Sequence, residues 1–494
     1  MRSSRKADAL VFLALLLLPL LWFAPQALGN QTLLPADNLF QYPPWQSYSE
    51  ELGVGVPHNA LISDLVLENL QWKSLIVDAL AAGKPADILW NPRSFAGVPF
   101  FAAGQQSAAY PLSLLFYVMP LWRAYGVFTW LQIGLAAVSM YLFMRVLRVR
   151  RIAAFLAGIA FAFSGFFIVS VNFTMVIAAA AWLPLLLACI EMVMRKLEEG
   201  ASGKFLPVPY VALGAAVLAI QILAGHVEIT YYTLMVAGFF ALWRLAGVLR
   251  RLRAWRPVVR AGAWLLIMIG LGVALGGVQI LPLYELVRQS FREGSATLQQ
   301  VRDWAWPSRQ IITFLLPDFY GNPTHHTYYD IWQRAIVPVT QNALGQPLTT
   351  IDWGVKNYVE GGNYLGIATL VLAITGVLAG VGGYTKSRGQ TASRPEARPA
   401  GGDSLPAHAA GCDRRTVRPA HVGFFAILAV LSLLFAFGTP LYAILYYGLP
   451  GYSQLHSAFR WVFPYTLSMA ALAGFGLDWL LSQRAARKEE GQRK

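Results

Sequence analysis

Charge is the scarcest property of this sequence. Only 13% of its 494 residues are Asp, Glu, Lys or Arg, while 56% are hydrophobic; soluble domains carry about 25% charged residues. With a mean hydropathy of +0.49, such a chain has too little polar surface to cover itself in water. The surplus must face lipid. Cysteine is almost missing as well: Cys189 lies in an apolar run and Cys412 in a basic, Pro- and Gly-rich stretch. That excludes a disulfide framework and a thiolate metal site. No GxxxxGK[ST] phosphate loop occurs, which argues against ATP-driven chemistry within the chain.

What is abundant is apolar runs of spanning length. A hydrocarbon core of about 30 Å needs roughly 20 apolar residues per helix. Runs of that kind occupy 9–28, 124–144, 152–171, 174–194, 206–224, 229–247, 261–282, 363–383, 422–438 and 461–481. The expected fold is an all-α polytopic membrane protein with about ten transmembrane helices and two large external loops. The run 112–121 is too short to span and is expected in the interface. Pro184, Pro207 and Pro209 fall within the runs, where membrane helices tolerate them if neighbours re-satisfy the freed carbonyls.

The net charge of +14 has a topological reading. With the N-terminus inside, 28 of the 39 Lys and Arg residues and 10 of the 25 acidic residues fall on the cytoplasmic side. The inside is then +18 and the outside −4, as the positive-inside rule requires. Basic runs such as 145–151 and 250–260 are anchors and contacts for anionic membrane lipid; nucleic acid is not implied. This places both termini in the cytoplasm. The first run reads as a retained anchor rather than a cleaved signal peptide, because Trp22, Phe23 and its length to Leu28 exceed a signal core.

The organisation follows. Residues 1–29 are an N-terminal transmembrane anchor and 30–111 a first external loop. Residues 112–284 carry helices two to seven, and 285–361 a second external loop rich in Trp, Tyr, Pro and Asp. Residues 362–383 are helix eight, 384–420 a disordered cytoplasmic linker, and 421–494 helices nine and ten with a cytoplasmic tail. Within 58–83, Leu61, Leu65, Leu70, Trp72, Ile76 and Leu80 approximate one helical face. They predict an interfacial helix whose polar side carries Asp64 and Glu68.

Four constellations could carry chemistry. Asp37, in LPADNLFQYPPW, is placed to take a proton from an acceptor hydroxyl, or simply to cap a turn. The segment 91–111 offers Asn91 and Gln105 to sugar hydroxyls, or packs as a re-entrant loop through Gly97 and Gly104. His226 and Glu228 in GHVE could bind a metal or relay a proton, although two residues do not make a metal site and taken alone they suit a capped, solvated turn. Arg460, in SQLHSAFRWVFPY, could clamp a phosphate or snorkel to headgroups; Arg288 and Arg292 raise the same two readings. Mid-helix positions hold almost no charge, which weakens a pump or proton-coupled transporter.

These segments resemble the YfhO family of bacterial membrane proteins, which are GT-C-like. The resemblance rests on Asp37 with Gln41 and Tyr42, HNALISD (58–64), LWNPRSFAGVPFFAAGQQSAAYP (89–111), GHVE, QILPLYEL (279–286), LLPDFYG (315–321), EGGNYLGIATLVLA (360–373) and FRWVFPY (459–465). It implies a glycosyltransferase of the inner (plasma) membrane, moving a sugar from a polyprenyl-phosphate donor to a cell-envelope polymer or lipid acceptor on the external face. Asp37 would be the base, with Asp64 as a second catalytic carboxylate. Arg460 and Arg292 would meet the donor phosphate, and Asn91, Gln105, His226 and Glu228 the sugar or acceptor. Asp64 and Glu68 could instead hold a divalent cation; no other cofactor is implied. A lipid-linked-sugar flippase using Gln132, Gln221 and Gln279, and a non-catalytic envelope-assembly protein, are the alternatives.

Overall fold

The computed structural model describes residues 2–55, 57, 62–199, 206–290, 296–319, 327–330, 334–338, 362–392, 419–455 and 457–493. Arg292, about half of the expected second external loop and most of the expected linker lie outside them. Most of the described chain is helical; the strands are two short antiparallel pairs, Trp90–Asn91 with Val98–Pro99 and Thr327–Asp330 with Ala335–Pro338. This is an all-α membrane protein.

Among the described residues six helical segments are long and apolar enough to cross a membrane: Leu121–Val146, Arg151–Asn172, Thr174–Glu198, Val227–Leu252, Trp255–Leu275 and Pro419–Ala436. A seventh is a broken pair, Lys6–Leu17 and Leu20–Ala27, bent by 54° where Pro19 precedes the second helix. The runs at 206–224 and 363–383 yield shorter apolar helices, Val208–Leu223 and Ile367–Gly382. The last run begins the Val462–Arg493 helix. Pro25 and Pro282 stand inside their helices, but the three prolines singled out in the sequence sit where they cost least. Pro184 and Pro209 are each second in their helix and Pro207 precedes one, so no interior hydrogen bond is lost.

The Leu121–Val146 helix lies against Arg151–Ala162, Leu183–Glu199 and both N-terminal helices. Of the spanning windows, Thr174–Glu198 is 83% buried and Trp255–Leu275 only 22%: the first is the middle of the bundle, the second its lipid-facing rim. Leu266, Leu271, Leu281 and Leu378 are exposed accordingly. Small residues permit the tightest crossing. The Ile367–Ala392 helix lies on Val462–Arg493, and a methyl on Gly476 would strike the Leu372 carbonyl.

Charges that enter the spans gather at the end marked by the basic turns, and they are paired. Glu191, fully buried, lies 2.8 Å from Arg195, 2.7 Å from Arg244 and 3.5 Å from His421. Asp8 binds Arg151 at 2.8 Å, and Asp478 accepts the Arg150 backbone N–H at 3.0 Å.

The 58–83 segment departs from its expected form. A wide helical turn, Leu65–Asn69, leads into the Leu70–Ala81 helix, and the buried side includes Asn69 and Lys73 as well as Leu65, Val66 and Ile76. Lys73 Nζ donates to the Gln106 carbonyl at 2.5 Å and lies 4.6 Å from the centre of the Phe116 ring. Leu80, expected in the apolar face, is 43% exposed. The helix is therefore docked on 100–118 by a buried amine. Burial lowers the Lys73 pKa from its ordinary 10.5 to about 7. Between those values the unfolded chain binds the extra proton, so the folded state loses stability as pH falls from 10.5 to 7. Lys73→Met should accordingly gain melting temperature relative to wild type as pH is lowered across that window. A difference constant from pH 7 to 10 would refute the account.

Candidate functional site

One cavity, about 290 Å³, draws its walls from five separated segments. Asp64, Glu68, Asn69 and Trp72 come from the wide turn and its helix, and Gln105 from the following loop. Ser170, Asn172 and Phe173 come from the break between two spans, His226 from the turn before Val227–Leu252, and Phe459 and Arg460 from the turn before the last helix. These are the span ends opposite the basic turns at 147–150 and 253–254.

Local chemistry fixes each wall. Tyr125 donates to the Asn69 side chain at 2.9 Å, which holds the wide turn against the Leu121–Val146 helix. Leu65 and Val66 pack inward, leaving Asp64 and Glu68 on the cavity side. The loop carrying Gln105 meets the His226 turn backbone to backbone. Gly225 has φ +83°, and a methyl there would strike the Gly104 carbonyl; no side chain could stand at that crossing. Ser107 Oγ donates to the Ala224 carbonyl at 2.7 Å, and Gln279 to the Phe101 carbonyl at 3.1 Å.

His226 caps its helix: Nδ1 accepts the Ile229 N–H at 3.2 Å. Burial, and then the neighbouring Arg460 charge, hold its pKa well below the ordinary 6.5. A neutral ring with Nδ1 accepting carries its proton on Nε2. His226 therefore offers a ligand a donor and is no general base. Across the cavity, Asp64 is raised by desolvation, and Glu68 by desolvation and then by the Asp64 charge. Both are reached by solvent, so their ionised forms stay accessible.

Arg460 Nε lies 2.7 Å from Glu228 Oε2. Glu228 itself does not line the cavity. It occupies the first turn of the Val227–Leu252 helix, where the macrodipole favours a carboxylate. Around the pair stand Tyr232, Tyr452 and Trp461: Trp461 Nε1 donates to Tyr452 at 2.8 Å, Tyr232 donates to the Ser457 carbonyl at 3.1 Å, and the Tyr232 and Trp461 rings meet edge to face at 5.3 Å.

Of the residues singled out above, Asp64, Glu68, Gln105, His226 and Arg460 thus meet in one cavity, with Glu228 behind Arg460. Asp37 does not line it; it sits half-buried on the short 3₁₀ helix Ala36–Gln41, which packs against the Leu65–Asn69 turn. Asn91 is occupied by its own turn, accepting from the Arg93 N–H at 2.9 Å and donating to Ser94 at 3.3 Å. Arg288 lies on the Tyr284 ring, 5.9 Å from its centre. Ser170, Asn172 and Trp72 are lining residues that motif reading passed over. Ser170 and Asn172, polar residues two apart at the end of an apolar run, were the available signal.

Among the described residues no group of three or more His, Cys, Asp or Glu side chains is gathered as for a metal ion; Asp64 and Glu68 form a pair. The three glutamines of a transport path are engaged elsewhere. Gln132 bonds Tyr110 at 2.9 Å, Gln221 bonds the Ala179 carbonyl and Thr233 at 2.9 and 2.7 Å, and Gln279 binds the 101–102 loop. In comparisons with known proteins, no family model, no curated protein and no solved structure matches this chain.

Proposed function

We propose that this chain is a GT-C-type glycosyltransferase that moves a sugar from a polyprenyl-phosphate donor to a cell-envelope acceptor. The observation that carries the reading is the cavity itself, with carboxylates Asp64 and Glu68 on one wall and Arg460 and His226 on another. Transfer from a phosphate-linked sugar needs those two kinds of group. The acceptor hydroxyl oxygen bonds to the anomeric carbon while its proton passes to a carboxylate. The anomeric carbon–phosphate oxygen bond breaks, and its electron pair leaves with the polyprenyl phosphate, whose charge Arg460 meets.

The cavity favours Asp64 as the base over Asp37, the position suggested by the YfhO resemblance, because Asp37 stands outside it. The polyprenyl chain suits a protein embedded in lipid. In this reading the chain crosses the inner membrane ten times with both termini in the cytoplasm, the basic turns lie on that side, and the cavity opens outside. There an envelope acceptor is at hand and no nucleotide is required.

The test is transfer of labelled sugar from short polyprenyl-phosphate donors by purified protein in nanodiscs. Product formation that depends on an acceptor supports the reading. Absence of transfer from folded protein across several sugars and acceptors overturns it. Movement of the donor across acceptor-free liposomes, without bond cleavage, would favour the flippase instead.

A further inference from the structure

Arg460 is the cavity's cationic wall, and a carboxylate already stands beside its Nε as an ion pair. Glu228 meets Nε at 2.7 Å, with both side chains mostly buried, 22% and 16% exposed. The guanidinium also lies over the Phe459 ring, 5.6 Å from its centre. A guanidinium presents its donors in a fixed planar fork. With a carboxylate beside Nε and a ring against the guanidinium, the two terminal amino groups are the donors left for a ligand to meet as a pair. Glu228 does not line the cavity, so it cannot serve the sugar directly, as the GHVE motif suggested.

We infer that Glu228 is a positioning residue for Arg460: it holds the Nε edge so that the paired terminal amino groups face the cavity and receive a phosphate monoester in two parallel bonds. The inference rests on the glycosyltransferase reading for its ligand class, but the geometry that carries it is independent of the sugar. The pairing has a second consequence. The Glu228 carboxylate offsets the Arg460 charge when the cavity holds no anion, which lowers the cost of keeping a guanidinium partly desolvated. The tyrosines and tryptophan around the pair give Glu228 a rigid seat, since Tyr232 and Trp461 are fully buried and hydrogen-bonded to their neighbours.

A double-mutant cycle on the full chain separates this role from a structural one. The probe is farnesyl phosphate, a short polyprenyl monophosphate, titrated into protein in nanodiscs. Arg460→Ala is expected to weaken binding at least about tenfold, the worth of a charge-assisted hydrogen bond. Glu228→Ala should weaken it by a similar factor while Arg460 is present. In the Arg460→Ala background the same substitution should leave binding unchanged or tighten it, because only the repulsive charge is then removed. Equal losses in both backgrounds, or no loss in either, would overturn the inference. Glu228→Gln, which keeps the volume, gives the same comparison if the alanine variant folds poorly. Failure of the probe to bind wild type would count against the glycosyltransferase reading. A structure of the Glu228→Ala protein then decides the positioning role separately: Arg460 displaced supports it, and Arg460 in an unchanged place refutes it.

Discussion

Asp64→Asn should lower sugar transfer by roughly a hundred- to ten-thousand-fold, the usual worth of a general base, while Asp37→Asn costs less than about tenfold on the same scale. The two carboxylates compete for one role, and position separates them. Asp64 lines the cavity with Arg460 and His226; Asp37 does not. Environment points the same way. Desolvation raises the Asp64 pKa, which makes its carboxylate a stronger proton acceptor once ionised. The sign of the pH dependence follows. A base must be ionised, so wild-type kcat/KM should fall as pH drops through the Asp64 pKa, which desolvation raises above the ordinary Asp value. In Asp64→Asn that acid limb should vanish along with most of the rate. A large loss in Asp37→Asn with Asp64→Asn nearly active would reverse the assignment and return the base to the first turn after the N-terminal helices.

The helices are legible because lipid imposes a length, and the runs at 124–144, 229–247 and 422–438 each fall on a helix of spanning size. Their ends are less so: the run 152–171 became Arg151–Ala162 and Gly165–Val169, with a short 3₁₀ turn after them. That break puts Ser170 and Asn172 into the cavity wall, and hydropathy averaged over a span cannot register two polar residues at its edge. Asp64, Glu68, Gln105, His226 and Arg460 were each noticed for their chemistry. Their convergence was not readable, because it depends on contacts such as Gly104 with Gly225, more than a hundred residues apart in the chain. Lys73 shows the same limit from the other side. A lysine in an amphipathic helix reads as solvated, and its burial depends on the Gln106 carbonyl, thirty-three residues on. Adjacency to His226 in sequence groups Glu228 with the sugar contacts; in space it pairs with Arg460.

The largest structural effect is expected at the other end of the bundle. Glu191 is fully buried and joins three helices: its own, Leu183–Glu199, carries Arg195 one turn on, Val227–Leu252 brings Arg244, and Pro419–Ala436 brings His421. Arg195 and Arg244 are themselves only 10% and 11% exposed at their side chains. Glu191→Ala removes the buried carboxylate that both guanidiniums share, leaving Arg244 only its longer pair with Glu198 at 3.2 Å. Breaking a buried pair in this way costs about 3–5 kcal/mol, comparable to a large part of the stability of an ordinary domain. Glu191→Ala should therefore lower the melting temperature of the purified protein sharply. Arg251→Ala, whose side chain is 58% exposed in its pair with Glu198, should change it little. Placed in the same assay, the two report whether charge in this bundle stabilises by burial or merely by number. Equal effects would mean that the Glu191 cluster is as solvated as the surface. A sharp loss confined to Glu191 would make it the polar lock that fixes the Pro419–Ala436 helix against the middle of the bundle.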